Sequence, residues 1–266
     1  MDEEFKIVLP VKGRRRPGVP DHYRLSAARL GAIKHEPAST LVHFWFRTRY
    51  VSALASELSH LHPHISQLHI SPSTVADLIG SCVKFVPTFA QSWVRTALPE
   101  WFLPNHLVLK KQKRGDLDRD QEAMVENFDN EVKAYDQLKP LQGVVIPKCF
   151  GRLHYHGERA LLLQSIEGGV SLSSPEGATL EMEELSTLLQ PCYRAIHALG
   201  VHHDDPNLAN FLLVNGKIMV LDLESAVFGL SARKKAFFLT TCIGQLADHY
   251  LDMQEYHHHD GSLEAA

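Results

Sequence analysis

Apolar residues recur at helical spacing in three parts of this chain, and each set predicts a helix with one buried face. The three sets are Leu41, Phe44, Phe46, Val51, Leu54 and Leu58; Phe128, Val132, Tyr135 and Leu138; and Leu185, Leu188, Leu189, Cys192, Ile196 and Leu199. Gly200 follows the third set directly, at the position where a glycine often ends a helix. A further helix is expected to close the chain, from Thr240 to Tyr256.

Two apolar runs, Phe211–Val214 and Ile218–Leu221, predict a β-hairpin. They flank an Asn-Gly dipeptide, and a linker of this kind favours a type I′ turn, which needs positive φ at both positions. Pairing outward from the turn sets Val214 opposite Lys217.

Polar side chains are expected to meet at the open end of this hairpin. In the predicted register, Asn210 lies close to Leu221 and Asp222. A polar turn just upstream places Asp205 near the same point. Carboxylate and amide oxygens in this arrangement suit Mg²⁺, which prefers one or two carboxylates together with substrate phosphates.

One carboxylate falls on an otherwise apolar helix face. Glu131 lies one turn from both Phe128 and Tyr135. A carboxylate on a buried face is costly unless it is paired, so a cation is expected nearby. A short strand predicted upstream ends in the two candidates, Lys110 and Lys111. The alternative is a partly exposed Glu131 with two solvated lysines.

The composition is ordinary for a globular protein, with 44% hydrophobic and 22% charged residues. A net charge of −4 supplies no general attraction to nucleic acid or to an anionic membrane. The four cysteines form no Cys-x-x-Cys pair, which argues against a zinc motif or a disulfide scaffold. No signal peptide or membrane span is evident, so an intracellular, cytoplasmic protein is expected. The basic run Lys12–Arg16 leaves a nuclear address open beside a plain basic loop.

The segment His203-x-Asp205-(four residues)-Asn210, followed by a hairpin and Asp222, resembles the catalytic loop and metal-binding segment of the protein kinase-like superfamily. The Asp-x-Glu-x-Ala pattern that begins at Asp222 is closer to aminoglycoside phosphotransferases, choline kinases and fungal-type kinase-like proteins than to protein kinases. The resemblance covers roughly residues 73–226.

The resemblance implies an α+β, two-lobed fold with a small β-rich N-lobe and an abbreviated, mainly helical C-lobe. Residues 1–72 would form an N-terminal extension of unreadable role, and residues 73–266 the kinase-like domain. Within that domain, the N-lobe would span about 73–165, the hinge about 164–169, and the C-lobe about 170–266.

The resemblance also assigns roles to single residues. Lys110, held by Glu131, would pair with the α- and β-phosphates of ATP, with Lys111 as the alternative lysine. Asn210 and Asp222 would hold Mg²⁺. Asp205 would take the proton of the acceptor hydroxyl, and His203 would brace the loop.

The remaining nucleotide contacts are expected from a phosphate loop and from the hinge. The stretch Asp77–Cys82 occupies the place of the glycine-rich loop, but only Gly80 matches it. The alternative is an ordinary strand with one turn glycine. The strand and hinge residues expected to line the adenine pocket are Leu163, Gln164 and Ile166. Glu224 is either a residue behind the metal ligands or an exposed acid.

The expected function is ATP-dependent phosphoryl transfer to a hydroxyl of a protein Ser/Thr or of a small molecule. The alternative is a pseudokinase, a nucleotide-binding or scaffolding module, motivated by the degenerate glycine loop and the short C-lobe. A third possibility is a truncated gene model of a longer kinase. The sequence does not indicate the acceptor or the oligomeric state.

Overall fold

The structure is a computed structural model that describes residues 39–58, 62–115 and 117–259. The basic run at residues 12–16 lies outside this part of the chain. None of the helices within these ranges combines the length and apolarity that crossing a bilayer requires.

The first half of the described chain is built around a six-stranded antiparallel sheet with the order β1-β2-β3-β4-β6-β5. Its strands are β1 (Thr40–Phe46), β2 (Arg49–Glu57), β3 (Ile65–Ile70), β4 (His106–Lys111), β5 (Cys149–Tyr155) and β6 (Glu158–Gln164). Helices α1 (Thr74–Lys84) and α2 (Thr88–Ala97) lie between β3 and β4, and α3 (Asp118–Gln137) lies between β4 and β5. Strands β1–β3 come from the predicted extension, so the predicted division at residue 72 falls inside the connection from β3 to α1.

The second half is mainly helical and carries two small sheets. Its elements are β7 (Val170–Ser171), α4 (Met182–Ala198), β8 (Val201–His203), β9 (Phe211–Val214), β10 (Lys217–Val220), β11 (Ala226–Phe228) and α5 (Ala232–His259). The strand orders are β10-β9-β7 and β11-β8, all antiparallel. The chain is therefore α+β, with an antiparallel sheet first and a helical part after it.

The hairpin prediction is confirmed, including its register. Val214 pairs with Lys217, and Asn215 and Gly216 adopt φ values of 50° and 70°, as a type I′ turn requires. The helices predicted around residues 128–138 and 185–199 are also confirmed, as α3 and α4. Gly200 has a φ of 75° where α4 ends. The closing helix is present but begins earlier, at Ala232.

The helix predicted over Leu41–Leu58 is wrong, because these residues form the β1–β2 hairpin. The inward-facing residues Val42, Phe44 and Phe46 are buried and alternate with exposed ones. This is the two-residue period of a strand. The exposed apolar residues Leu41 and Leu54 lie on the other face of the sheet, and their inclusion in the set imitated a helical spacing.

The phosphate loop expected at Asp77–Cys82 is also wrong, because the whole stretch lies inside α1. The Ser73 hydroxyl accepts a hydrogen bond from the Ala76 N–H at 3.4 Å and caps the helix. Gly80 lies in the middle of the helix, and a Cβ atom added there would have no atom of another residue within 4 Å, apart from its own helix backbone and chain neighbours. This glycine is therefore not required by a close approach of the backbone to another group.

The six-stranded sheet and the helical second half each have an apolar core of their own. One core lies under the six-stranded sheet and includes Phe44, Phe46, Leu68 and Leu109. The other packs α3, α4 and α5 together with the hairpin strands. The α5 side chain Tyr250 is fully buried, donates a hydrogen bond to Gly177 O at 2.7 Å and accepts one from Leu180 N at 2.8 Å.

We expect Tyr250→Phe to lower the free energy of unfolding by about 1–3 kcal/mol, because it leaves the buried Gly177 carbonyl and the partly buried Leu180 N–H without their partner. Urea denaturation of the full chain measures the change. Tyr50→Phe is the control, since Tyr50 is 55% exposed, and it should change stability little. Equal effects of the two substitutions would contradict this view of how α5 is anchored.

Candidate functional site

A buried lysine ammonium group lies at the centre of the site. Lys110 is near the end of β4, and its Nζ lies 2.9 and 2.8 Å from the two carboxylate oxygens of Glu131 on α3. It also lies 2.9 Å from Asp222 Oδ1 and 3.1 Å from Glu224 Oε1, in the segment after β10. Lys110 is 4% exposed and Glu131 is 0% exposed. The structure thus brings together the lysine and glutamate that the sequence pairs.

The pKa shifts follow from burial and from an excess of negative charge. Burial alone would lower the pKa of Lys110. Three neighbouring carboxylates, of which Glu131 has the largest effect, raise it above its usual range. Burial also raises the pKa of Glu131, opposed by Lys110. Burial acts to raise the pKa of Asp222, but Lys110 outweighs it, so this carboxyl group has a lowered pKa. The ammonium group therefore stays charged in the folded protein.

A second lysine partly balances the carboxylates. Lys113 Nζ lies 2.6 Å from Glu224 Oε2. Two ammonium groups then face the carboxylates of Glu131, Asp222 and Glu224, which leaves one negative charge in excess. These three acids each offer an oxygen within 4.8 Å of the others, because all three contact the Lys110 ammonium group.

Asp222 has an unusual backbone conformation that its neighbours hold in place. Its φ is 50°, in the left-handed region that a non-glycine residue seldom adopts. Its carbonyl oxygen lies 2.9 Å from His203 Nε2, and His203 is 1% exposed. Burial lowers the pKa of His203, so the neutral imidazole donates this hydrogen bond. His203 therefore joins β8 to the backbone of Asp222.

Asp205 and Asn210 form a second, adjacent unit. Asn210 Nδ2 donates to Asp205 Oδ2 at 2.7 Å, and Asp205 Oδ1 accepts the Asn207 N–H at 3.0 Å. The Leu221 N–H donates to Asn210 O at 2.7 Å, so the loop is joined to the hairpin immediately before Asp222. Because Asn210 Nδ2 donates to Asp205, the Asn210 Oδ1 atom faces away from this hydrogen bond and can accept another.

Three further residues of the site were not identified in the sequence. Asn130 Nδ2 donates to the backbone oxygens of Glu224 and Ala226 at 2.7 and 2.8 Å, which ties α3 to the segment after Asp222. Lys113 belongs to the site through Glu224. The His64 carbonyl accepts the Lys111 N–H at 2.8 Å, and burial, assisted by Lys113, lowers the pKa of His64 to about 4.

The residues predicted for the hinge lie at the end of β6 and after it. Leu163 is 7% exposed and belongs to the helical core. Gln164 exchanges two hydrogen bonds with the Lys148 backbone, through its own N–H at 2.8 Å and its Oε1 at 3.1 Å. Ile166 lies close to Gly169, in the segment that leads to β7. No hydrogen bond joins these residues or Gly80 to Lys110 in the described part of the chain.

No family model matches the chain. One curated relative, the meiotic driver SPOK2 of Podospora anserina, is 33% identical over 111 residues. That match covers 40% of this chain and 14% of the relative, so the chain corresponds to a small part of that protein.

We expect Lys110→Met to lower the free energy of unfolding by about 3–5 kcal/mol, because it leaves a buried carboxylate without its cation. The loss should be greatest at neutral pH. Lys110 opposes the rise of the Glu131 pKa, so in the variant this pKa rises further than in the parent. The folded variant then binds more protons than the folded parent, and the loss shrinks as the pH falls.

Urea denaturation at several pH values, with each variant compared to the parent chain at the same pH, measures this dependence. Lys111→Met is the matched control, because Lys111 is a half-buried neighbour and Glu131 binds Lys110 instead. A larger loss for Lys111→Met, or a Lys110→Met loss independent of pH, would contradict the assignment.

Proposed function

We propose that this chain is an ATP-dependent phosphotransferase with the two-lobed architecture of the protein kinase-like superfamily. The observation that carries the proposal is the meeting of the Lys110–Glu131 pair with Asp222, beside the Asp205–Asn210 unit. These residues come from a strand, the next helix, a loop and the segment after a hairpin. Their order along the chain is the order of the corresponding groups in kinase-like enzymes.

The oxygen-rich donor set fits a hard cation. Asn210 Oδ1 and the carboxylate of Asp222 would hold Mg²⁺, with Glu224 behind them. When bound, the ion supplies neutralisation of the phosphate charges. The one negative charge in excess around Lys110 and Lys113 favours a cation at this position.

Lys110 would bind phosphate oxygens in place of its contacts with Asp222 and Glu224, while Glu131 keeps it in position. Glu131 fixes its ammonium group from the buried side through two short contacts. The contact with Asp222 is made on the more exposed side, where the Asp222 side chain is 30% exposed. A positioned cation in a poorly solvated site stabilises phosphate charge more strongly than a solvated lysine would.

Asp205 would act on the acceptor. The acceptor oxygen forms a bond to the γ-phosphorus, the bond from that phosphorus to the bridging oxygen of ADP breaks, and the hydroxyl proton passes to the Asp205 carboxylate. The amide of Asn210 and the backbone N–H of Asn207 hold that carboxylate in place. Leu163, Gln164 and Ile166 would line the adenine pocket, whereas Gly80 has no part in this proposal.

A second candidate function is a nucleotide-binding or scaffolding pseudokinase. The specific observation in its favour is that the Lys110 ammonium group already has three carboxylates within 3.1 Å. A phosphate must compete with Asp222 and Glu224 for this group. The two candidates differ in whether a hydroxyl acceptor is phosphorylated.

We expect Asp205→Asn to reduce phosphoryl transfer by about 10²–10⁴-fold, because it removes the proton acceptor. Radiolabelled ATP, offered with a panel of protein and small-alcohol acceptors, measures the transfer. Nucleotide binding should survive the substitution. Asp136→Asn, on the exposed face of α3, is the charge-matched control and should retain activity. Unchanged transfer in Asp205→Asn would remove this residue from the mechanism.

We expect ATP with Mg²⁺ to stabilise the parent chain by about 2.7 kcal/mol when the nucleotide is present at ~100 times its Kd. In Asp222→Asn, the part of this gain that depends on Mg²⁺ should be lost. Thermal shifts with ATP alone and with Mg²⁺ and ATP, each compared to the same variant without nucleotide, separate the two contributions. No shift of the parent chain at millimolar ATP would favour a scaffold.

A further inference from the structure

A second group of metal-ligating side chains lies away from Lys110, between β8 and α5. The Nε2 atom of His202 lies 3.4 Å from Cys242 Sγ and 3.6 Å from Asp204 Oδ1. One ligand atom from each residue lies within 4.8 Å of the others. His202 and Cys242 are buried, whereas Asp204 is exposed, so the group opens to solvent on one side.

A buried histidine behind the group fixes the orientation of the His202 ring. His197 Nε2 lies 3.0 Å from His202 Nδ1. When the Cys242 thiol is protonated, its S–H group donates to His202 Nε2 at 3.4 Å. The ring proton of His202 then lies on Nδ1 and is donated to His197. This tautomer keeps the Nε2 lone pair directed at Cys242.

The surroundings restrict the movement of these side chains. The ring of Phe238 stacks on His202 with a centroid separation of 4.2 Å and an angle of 12°. The hydroxyl of Tyr193 is buried and has no hydrogen-bond partner in the described ranges. The Tyr193 ring lies 6.1 Å from the His202 ring, measured between centroids.

We propose that His202, Asp204 and Cys242 bind a borderline-soft divalent transition metal ion of the zinc type. In a tetrahedral zinc site with bonds of about 2.0–2.3 Å, neighbouring ligand atoms lie roughly 3.3–3.6 Å apart. The separations from His202 Nε2 to the sulfur and to the carboxylate oxygen match this spacing, and the sulfur and that carboxylate lie within 4.8 Å of each other. A water molecule, entering from the exposed side at Asp204, would complete the coordination.

The ligand chemistry distinguishes this site from the phosphate site. Thiolate and imidazole select zinc-type ions, whereas Mg²⁺ prefers oxygen ligands. The hydrogen bond that His202 Nδ1 donates to His197 is the kind of support that ligating histidines have in zinc sites. A metal ion here joins α5 to β8, directly before the loop that carries Asp205.

The test uses the purified, reduced full chain with Co²⁺ as a spectroscopic probe. Binding through Cys242 produces a thiolate-to-cobalt charge-transfer band in the near ultraviolet, together with the visible bands of tetrahedral cobalt. Addition of Zn²⁺ should bleach both. Adventitious binding to the histidines at residues 257–259 gives no thiolate band, so it cannot imitate this result.

We expect Cys242→Ser to abolish the thiolate band and Cys149→Ser to retain it. Cys149 is the matched control, because it is a free, partly buried cysteine that lies on β5 rather than in the His202 group. Asp204→Asn is the second variant, since its side chain is 57% exposed and the substitution leaves the core intact. It should weaken Co²⁺ affinity by at least ~10-fold. Absence of the band in the parent chain, or its persistence in Cys242→Ser, would overturn the proposal.

Discussion

The structure depends on one buried charge, the ammonium group of Lys110. Removing an ion of this size from water costs several kcal/mol, and the cost is recovered only if counter-charges are placed within contact. Here the counter-charges come from α3 and from the segment after β10, so the strand, the helix and that segment must meet at one point. Because this cost offsets most of the attraction, the cluster contributes little to the net free energy of unfolding. It instead determines how the sheet and the helical part are positioned.

A second constraint acts on the backbone around Asp222. The left-handed conformation there turns the side chain toward Lys110 while the carbonyl points to His203. This conformation costs a non-glycine residue about 1 kcal/mol or more, so it persists only where surrounding contacts enforce it. Asn130 supplies part of that support from α3, because it binds the backbone on the C-terminal side of Asp222. The same contacts that place the carboxylate therefore also offset the strain.

The sequence predicted the parts of the site that rest on local patterns. The Asn-Gly turn set the register that brings Asn210 next to Leu221, and the position of Glu131 on an apolar helix face required a nearby cation. The features that sequence analysis missed depend on contacts between distant residues. Lys113 meets Glu224 across 111 positions, and His202 meets Cys242 across 40, with no local signal for either pair.

The two failed element predictions have a different origin. Strand β1 carries exposed apolar residues on its outer face, so a two-residue burial pattern was hidden inside a longer apolar run. For Gly80, a glycine after apolar residues fits a loop as well as a helix interior. The hydrogen bond from the Ala76 N–H to Ser73 caps the helix. Serine is common in loops as well, so its capping role is recognised only from this geometry.

Under the proposed function, the charge balance also indicates the order in which ligands can enter. Free ATP would bring several negative charges to a site that already has one in excess around Lys110 and Lys113. A phosphate oxygen that replaces Asp222 at Lys110 leaves that carboxylate without its cation, at a cost that grows in a poorly solvated site. A divalent cation arriving with the nucleotide compensates both effects, because it neutralises the phosphates and gives Asp222 a new partner. The arrangement of the lysines and acids thus favours the magnesium complex over the free nucleotide.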